Sequence, residues 1–268
     1  MPDILYGRNS VREALRAGRR LRRLLVSRGL GDDPRVAEIA SLAIAQGVAP
    51  EPAERDRLAD SSHSQHHQGV VAYFDSRQFP GMEFLRRLVQ EANSGWPPLL
   101  LCIDGLQDPQ NLGALARAAE SLGVDAVVMP KHRTAPVSPA AIKASAGALE
   151  HLQLVKVVNL AQTLSELAEL GLLVAGLDQA AEVHCDRADL RQPLALVVGS
   201  EGEGLRQLTR RRCDLLISIP MGGRVDSLNA AVAGSIVLYE VARQRGFAFS
   251  GQGDDSPKHS YTRAGTPT

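Results

Sequence analysis

Cysteine, long apolar runs and net charge are what this sequence has least of. Its three cysteines, Cys102, Cys185 and Cys213, lie far apart, each in or beside an apolar segment. They read as reduced core residues and suggest neither a disulfide framework nor a zinc site. No uncharged apolar run is long enough to span a membrane as a helix. The opening MPDILYGRNSVREAL lacks the apolar core of a secretory signal and points to the cytosol. What is present is bulk: 268 residues at 44% hydrophobic content suffice for a good core and for two domains.

The formal net charge of zero argues on its face against a nucleic-acid partner. The distribution argues the other way. Residues 1–30 hold eight arginines (Arg8, Arg12, Arg16, Arg19, Arg20, Arg22, Arg23, Arg28) against Asp3 and Glu13, whereas residues 31–75 hold eight acids against three arginines. A local basic face binds phosphates whatever the total, and the same composition also fits a solvated helix surface.

Helical spacing runs over residues 4–17, with Val11, Ala14 and Leu15 on one face and Arg8, Arg12 and Arg16 along another. Leu21–Ser27 reads as a strand, Pro34–Gln46 as a helix ended by Gly47, Glu54–Leu58 as a charged helical piece, and Val70–Phe74 as a closing strand. These make a small domain over 1–76. The turn before its last strand carries His63, His66 and His67. With no cysteine and few carboxylates nearby, it reads as a surface loop available to a polyanion rather than as a metal site.

Residues 77–98 form a linker, an amphipathic helix over Gln78–Asn93 followed by a hinge at Ser94-Gly-Trp-Pro-Pro98. From 99 to 246 strands alternate with helices, the pattern of a parallel sheet with helices on its faces. The strand candidates are Leu99–Asp104, Val124–Met129, Leu154–Val158, Leu172–Leu177, Leu194–Val198 and Leu215–Ile219. The tail over 247–268 is rich in Gly, Ser, Asp and Pro, has no period, and reads as disordered.

Three loops follow apolar strands, where open α/β folds place ligands. The first carries Asn111 and Arg117. Either can be structural, Asn as a cap and Arg as a surface residue, but Arg117 sits among apolar and small neighbours, where an unpaired charge is costly. The second, Gly199-Ser-Glu-Gly-Glu-Gly204, fits neither the P-loop, which needs a lysine, nor the GxGxxG fingerprint. Its two glutamates repel phosphate and suit hydroxyls, an amine or a cation. The third, Ile219 to Asn229, has glycines that allow close backbone approach to a ligand and leads into a helix with small residues on one side.

Together these segments resemble the SpoU-type RNA 2′-O-ribose methyltransferases of the SPOUT superfamily. The family motifs stand in order as NLGALARAAESLG (111–123), LALVVGSEGEGL (194–205) and ISIPMGGRVDSLNAAVAGSIVLYE (217–240), with AIKASAGALEHL (141–152) between them. The segments LYGRNSVREAL and HQGVVAY are similar to the small RNA-binding domain of the ribosomal branch. One departure is His66-His67, where an Asn commonly precedes the His.

The resemblance implies an α/β protein: a catalytic domain with a parallel sheet and a deep trefoil knot, preceded by a small α/β RNA-binding domain. It further implies S-adenosylmethionine as methyl donor, a cytoplasmic homodimer whose active site uses both subunits, and ribosomal RNA as partner, the target being a guanosine of 23S RNA. By motif match Asn111, Arg117, Glu201, Ser227 and Asn229 form the catalytic set, with Asn111 and Glu201 expected to hold Arg117 in place. Gly199, Ile219, Met221 and Leu228 line the cofactor. RNA is expected on Arg8, Arg19, Arg20, Arg22, Arg23 and His67, and no metal is implied. A transfer-RNA enzyme of the same family and a non-catalytic RNA-binding protein on this fold are the alternatives.

Overall fold

The computed structural model describes residues 2–30, 33–92, 97–224 and 227–249. The hinge residues 94–96 and the tail from residue 250 onward lie outside the described residues.

The first sheet is built from β1 (Asp3–Tyr6), α1 (Arg8–Arg16), β2 (Leu21–Ser27), α2 (Pro34–Ala45), β3 (Glu51–Ala53), α3 (Arg55–Ser62) and β4 (Val70–Phe74). Its strand order is β1-β4-β2-β3, with β4 antiparallel to both neighbours and β2 parallel to β3. Spacing placed a helix from residue 4; the structure begins that stretch with a strand instead. Gly7, at φ 86°, makes the break, and its N–H bonds the Val70 carbonyl at 3.0 Å. The short β1 is held by its register on β4, a partner that local periodicity does not contain. The apolar face of α1, with Val11, Ala14 and Leu15 buried, packs with α2 onto the sheet. Asp33 caps α2 by accepting from the Arg35 and Val36 amides, and Pro34 starts it.

A helix α4 (Met82–Glu91), shorter than its amphipathic pattern suggested, leads to the second unit. That unit runs through β5 (Leu99–Asp104), α5 (Pro109–Ser121), β6 (Ala126–Pro130), α6 (Pro139–Ala144), α7 (Ala148–His151), β7 (Leu154–Val157), α8 (Leu160–Glu169) and β8 (Leu173–Leu177). It ends with β9 (Val183–His184), β10 (Leu194–Gly199), α9 (Gln207–Arg210), β11 (Leu215–Ser218) and α10 (Ala230–Gln244). The seven strands are parallel in the order β7-β6-β5-β10-β8-β11-β9.

Strands β5 and β10 lie side by side at the centre, every residue of both buried, as expected of parallel strands covered on both faces. Leu160, Leu164 and Leu167 of α8, with Leu85 of α4, cover one face. Helices α5 and α10 cover the other. A Cβ on Gly234 of α10 would lie 2.7 Å from Leu115 of α5 and 3.2 Å from Val198 of β10, so this glycine permits the close packing that brings both helices onto the sheet.

The two units meet through α1 on one side and α6–α7 on the other. Glu150, whose side chain is fully buried, accepts from Arg19 at 3.4 Å and from Arg77, and Arg77 also donates to the Leu149 carbonyl at 2.7 Å. Burial pulls the Arg77 guanidinium below its ordinary pKa, and Glu150 opposes that pull. At the rim His151 Nε2 and Glu13 Oε2 are 3.0 Å apart.

Candidate active site

Three polar side chains converge where the carboxyl ends of β5 and β10 meet the start of α10. Asp108 caps α5 by accepting from the Gln110 amide at 3.0 Å, which places Asn111 in the first helical turn rather than at the cap. Glu201 projects from the turn after β10. That turn is closed by a Ser200–Gly204 bridge and is so tight that a Cβ on Gly199 would lie 2.2 Å from the Gly204 carbonyl carbon. Asn229 caps α10: its Oδ1 accepts from the Ala231 and Val232 amides at 2.9 and 3.2 Å.

The side chains then close on one another. Asn229 Nδ2 donates to Asn111 Oδ1 at 3.0 Å, and Glu201 Oε1 accepts from both Asn111 Nδ2 and Asn229 Nδ2. A carboxylate is thus held by two amides at the mouth of the sheet. Beneath it, buried Asp104 accepts the Arg206 amide at 2.9 Å, with that guanidinium 3.6 Å away. Sequence reading passed over this brace, although Asp104 opens the first motif loop.

Arg117 does not join the group. Six residues past Asn111, it sits about 240° around the helix; it is exposed and, among the described residues, has no hydrogen-bonding or ionic partner. The expectation that Asn111 and Glu201 hold Arg117 is therefore corrected within one chain: those two hold each other. Ser227 is exposed and makes no hydrogen bond to the cluster among the described residues. Ile219 is half-buried just past β11, while Met221 and Leu228 are exposed on the same loop.

The residues expected to contact RNA divide. Arg20 and Arg22 are the most exposed, at 78% and 60% of their side chains, although both lie against Asp75 and Arg22 donates to it. Arg8 is paired with Asp33, and Arg23 with Glu51 at 2.6 Å. Two expectations are corrected. Arg19, with its side chain 11% exposed, is committed to Asp3 and to Glu150 of the other unit. His67 is buried, its Nδ1 accepting from the Gly69 amide at 3.0 Å, whereas His63 and His66 are exposed. Several acids of residues 31–75 turn out to be partners of the N-terminal arginines, so two opposed charge blocks in sequence largely neutralise in space. Among the described residues no cluster of His, Cys, Asp and Glu suits a metal ion.

The loop chemistry fits S-adenosylmethionine. Carboxylates on the second loop tolerate a cationic sulfonium and disfavour phosphate, Met221 and Leu228 offer exposed apolar surface, and Gly222 leaves open space where a Cβ would stand.

The catalytic-end arrangement is thus a central parallel sheet with a carboxylate–diamide cluster at its carboxyl ends, preceded by a small α/β unit. Residues 98–239 match the SpoU rRNA methylase family and residues 4–80 the RNA 2′-O ribose methyltransferase substrate-binding domain; the chain belongs to the SpoU family, whose members are S-adenosylmethionine-dependent RNA 2′-O-methyltransferases. It is 43% identical to the 23S rRNA (guanosine-2′-O-)-methyltransferase RlmB of Ralstonia nicotianae over 80% of this chain and 84% of that protein. It is 40% identical to RlmB of Yersinia pestis over 92% and 99%. An uncharacterized tRNA/rRNA methyltransferase of Synechocystis is 40% identical over 97% of this chain, which spans 65% of that protein's length. Among solved structures, the SpoU methyltransferase AviRb of Streptomyces viridochromogenes in complex with AdoMet superposes with a TM-score of 0.74 at 26% identity, covering 91% of each chain.

Proposed function

We propose that this enzyme methylates the 2′-hydroxyl of a guanosine in 23S ribosomal RNA and works as a cytoplasmic homodimer. The observation that carries the reading is the Asn111–Glu201–Asn229 cluster, assembled from three separate sequence motifs at the carboxyl ends of β5 and β10 and the start of α10. Similarity to the two RlmB proteins over 84% and 99% of their lengths supports the ribosomal substrate.

When bound, S-adenosylmethionine supplies an electrophilic methyl group, with Gly199, Ile219, Met221 and Leu228 the residues that would hold it. The chain's own task is to place a ribose hydroxyl in line and to manage one proton; positioning of this kind contributes on the order of 7–11 kcal/mol. The two asparagines fix the Glu201 carboxylate, and Ser227 and Asn229 shape the loop that faces the ribose. Arg117 stabilises developing alkoxide and grips the target phosphate; it is no base, since a guanidinium stays protonated in proteins.

The exposed setting of Arg117 favours a shared site. Beside Asn111 and Asn229 lies an open cleft of about 550 Å³, floored by Ala114, Val232, Ile236 and Tyr239. An apolar face continuous with a catalytic cluster suits a second copy of the chain, and Arg117 is then the group one protomer presents to its partner's site.

Transfer of tritiated methyl from S-adenosylmethionine to unmodified 23S RNA, with bulk transfer RNA in parallel and nuclease mapping of the labelled ribose, tests the substrate. Label on one 23S guanosine is expected. Label on transfer RNA alone overturns the ribosomal assignment.

A further inference from the structure

The catalytic unit carries a cationic segment that neither the site nor the small domain uses. Between Asp125 and Glu150 the chain holds no acid, yet it bears Lys131, His132, Arg133 and Lys143, including two of the protein's four lysines. All four side chains are exposed, and none has a hydrogen-bonding or ionic partner among the described residues. Most arginines of the small domain, by contrast, are paired.

The segment is also held in place. The Lys131 amide bonds the Val157 carbonyl at 2.8 Å, and the Ala135 amide bonds the Leu106 carbonyl at 2.7 Å, fastening this loop to the one that leads to Asn111. Arg133 sits in the left-handed region at φ 60°, its carbonyl 3.5 Å from Arg206 Nη2. Among the described residues no carboxylate forms an ion pair with Lys131, Arg133 or Lys143, and Asp104 faces Arg206 instead. The cations are therefore left uncompensated on a fixed backbone.

Position gives the segment its meaning. Since β6 lies next to β5, Lys131–Arg133 extends the row of carboxyl-end loops outward from the cluster. The chain then enters α6, which bears Lys143 and packs against both α5 and α1. The cations thus run from the catalytic mouth to the seam with the small domain.

We propose that Lys131, Arg133 and Lys143 bind the sugar-phosphate backbone of the RNA between the methylated ribose and the part held by the small domain. This rests on the RNA methyltransferase reading above. Phosphate contacts fix register without reading bases, so the segment sets how far the target lies from the captured portion.

The test uses the full-length protein, an unmodified 23S RNA transcript, and the triple variant Lys131→Gln, Arg133→Asn, Lys143→Gln; asparagine is chosen because it tolerates positive φ. Each lost phosphate contact lowers the salt slope by about 0.7, so a fall of about 2 in the log–log slope is expected, with affinity down about tenfold or more. KM for RNA rises while kcat at saturating RNA and affinity for S-adenosylmethionine hold. The charge-preserving Lys131→Arg, Lys143→Arg variant keeps the wild-type slope, which guards against a folding artefact. An unchanged slope in the triple variant, with the wild type active, overturns the phosphate track and leaves the enzyme reading standing. A wild type that neither binds nor methylates the transcript overturns the reading on which the track rests.

Discussion

Asn229 reaches across 118 residues of sequence to donate its amide to Asn111, while its own carbonyl oxygen caps the helix that follows. One side chain thus closes the polar cluster and starts α10. The two roles separate by substitution. Asn229→Asp retains an acceptor for the Ala231 and Val232 amides but loses the donor and sets a second carboxylate against Glu201. Asn229→Ala loses both, and the missing cap costs about 1 kcal/mol. Methyl transfer should collapse in both variants, with the melting temperature lowered in Asn229→Ala. An Asp variant with wild-type turnover would remove the cluster from the mechanism.

Glu150 is the anion on which the domain seam depends. Glu150→Ala leaves Arg77 without its carboxylate partner and Arg19 with Asp3 alone, and breaking a buried pair typically costs about 3–5 kcal/mol. Chemical denaturation should show that loss, and small-angle scattering should show a more extended particle. A variant as stable and as compact as the parent would mean that apolar packing alone holds the seam.

Within the arginine-rich N-terminus the geometry separates exposed arginines, available to RNA, from those committed to structure. Neutralising Arg20 and Arg22 should flatten the salt dependence of RNA binding and leave the melting temperature alone. Replacing Arg19 should do the reverse, since its guanidinium is spent on Asp3 and Glu150. Identical behaviour of the two variants would refute the division.

Burial, aided by the Arg55 charge, holds the His67 imidazole below its ordinary pKa. As pH falls through about 6.5, the unfolded chain takes up a proton that the folded chain refuses, so stability present at neutral pH declines towards the lower folded pKa. His67→Asn supplies a similar acceptor to Gly69 without titrating. Its melting temperature should vary less than the parent's between pH 7 and 5, and parallel curves would count against the assignment.

The α10 face offers a last prediction. Ile236→Glu places a charge in the apolar cleft beside Asn229. Light scattering should report a monomer, and methyl transfer should fall with it. A fully active monomer would contradict the shared site.

How far the sequence could be read depended on how far apart the partners lie. Apolar runs such as Leu99–Asp104 and Leu194–Val198 are too short for a core helix and are bounded by turn residues, so they were legible as strands from local pattern. Strands β1, β3 and β9 have four residues or fewer, hold their place through a neighbouring strand, and were missed. Asn111, Glu201 and Asn229 were nameable by motif, but their mutual hydrogen bonds were not, because no local rule relates loops 90 and 118 residues apart. The buried setting expected of Arg117 failed for a different reason: its apolar neighbours in sequence occupy other faces of the helix. Charge misled most. The N-terminal arginines looked free because their partners, Asp33, Glu38, Glu51 and Asp75, come later in the chain, and Arg19 because Glu150 belongs to another unit.

Gly113 lies between the Asn111–Glu201–Asn229 cluster and the seam. A Cβ there would stand 2.5 Å from the Ala144 methyl and 2.7 Å from the Ala141 carbonyl, so α5 and α6 touch backbone to backbone with no compliant side-chain layer between them. Compliance in proteins resides largely in side chains that can change rotamer, and this contact has none to give. A tilt of the small domain that reached α6 would meet no side chain at this contact able to absorb it before the helix that carries Asn111 and Arg117. At Gly113 the joint is built as a strut, with backbone on both sides, between the seam and the helical turn that bears Asn111.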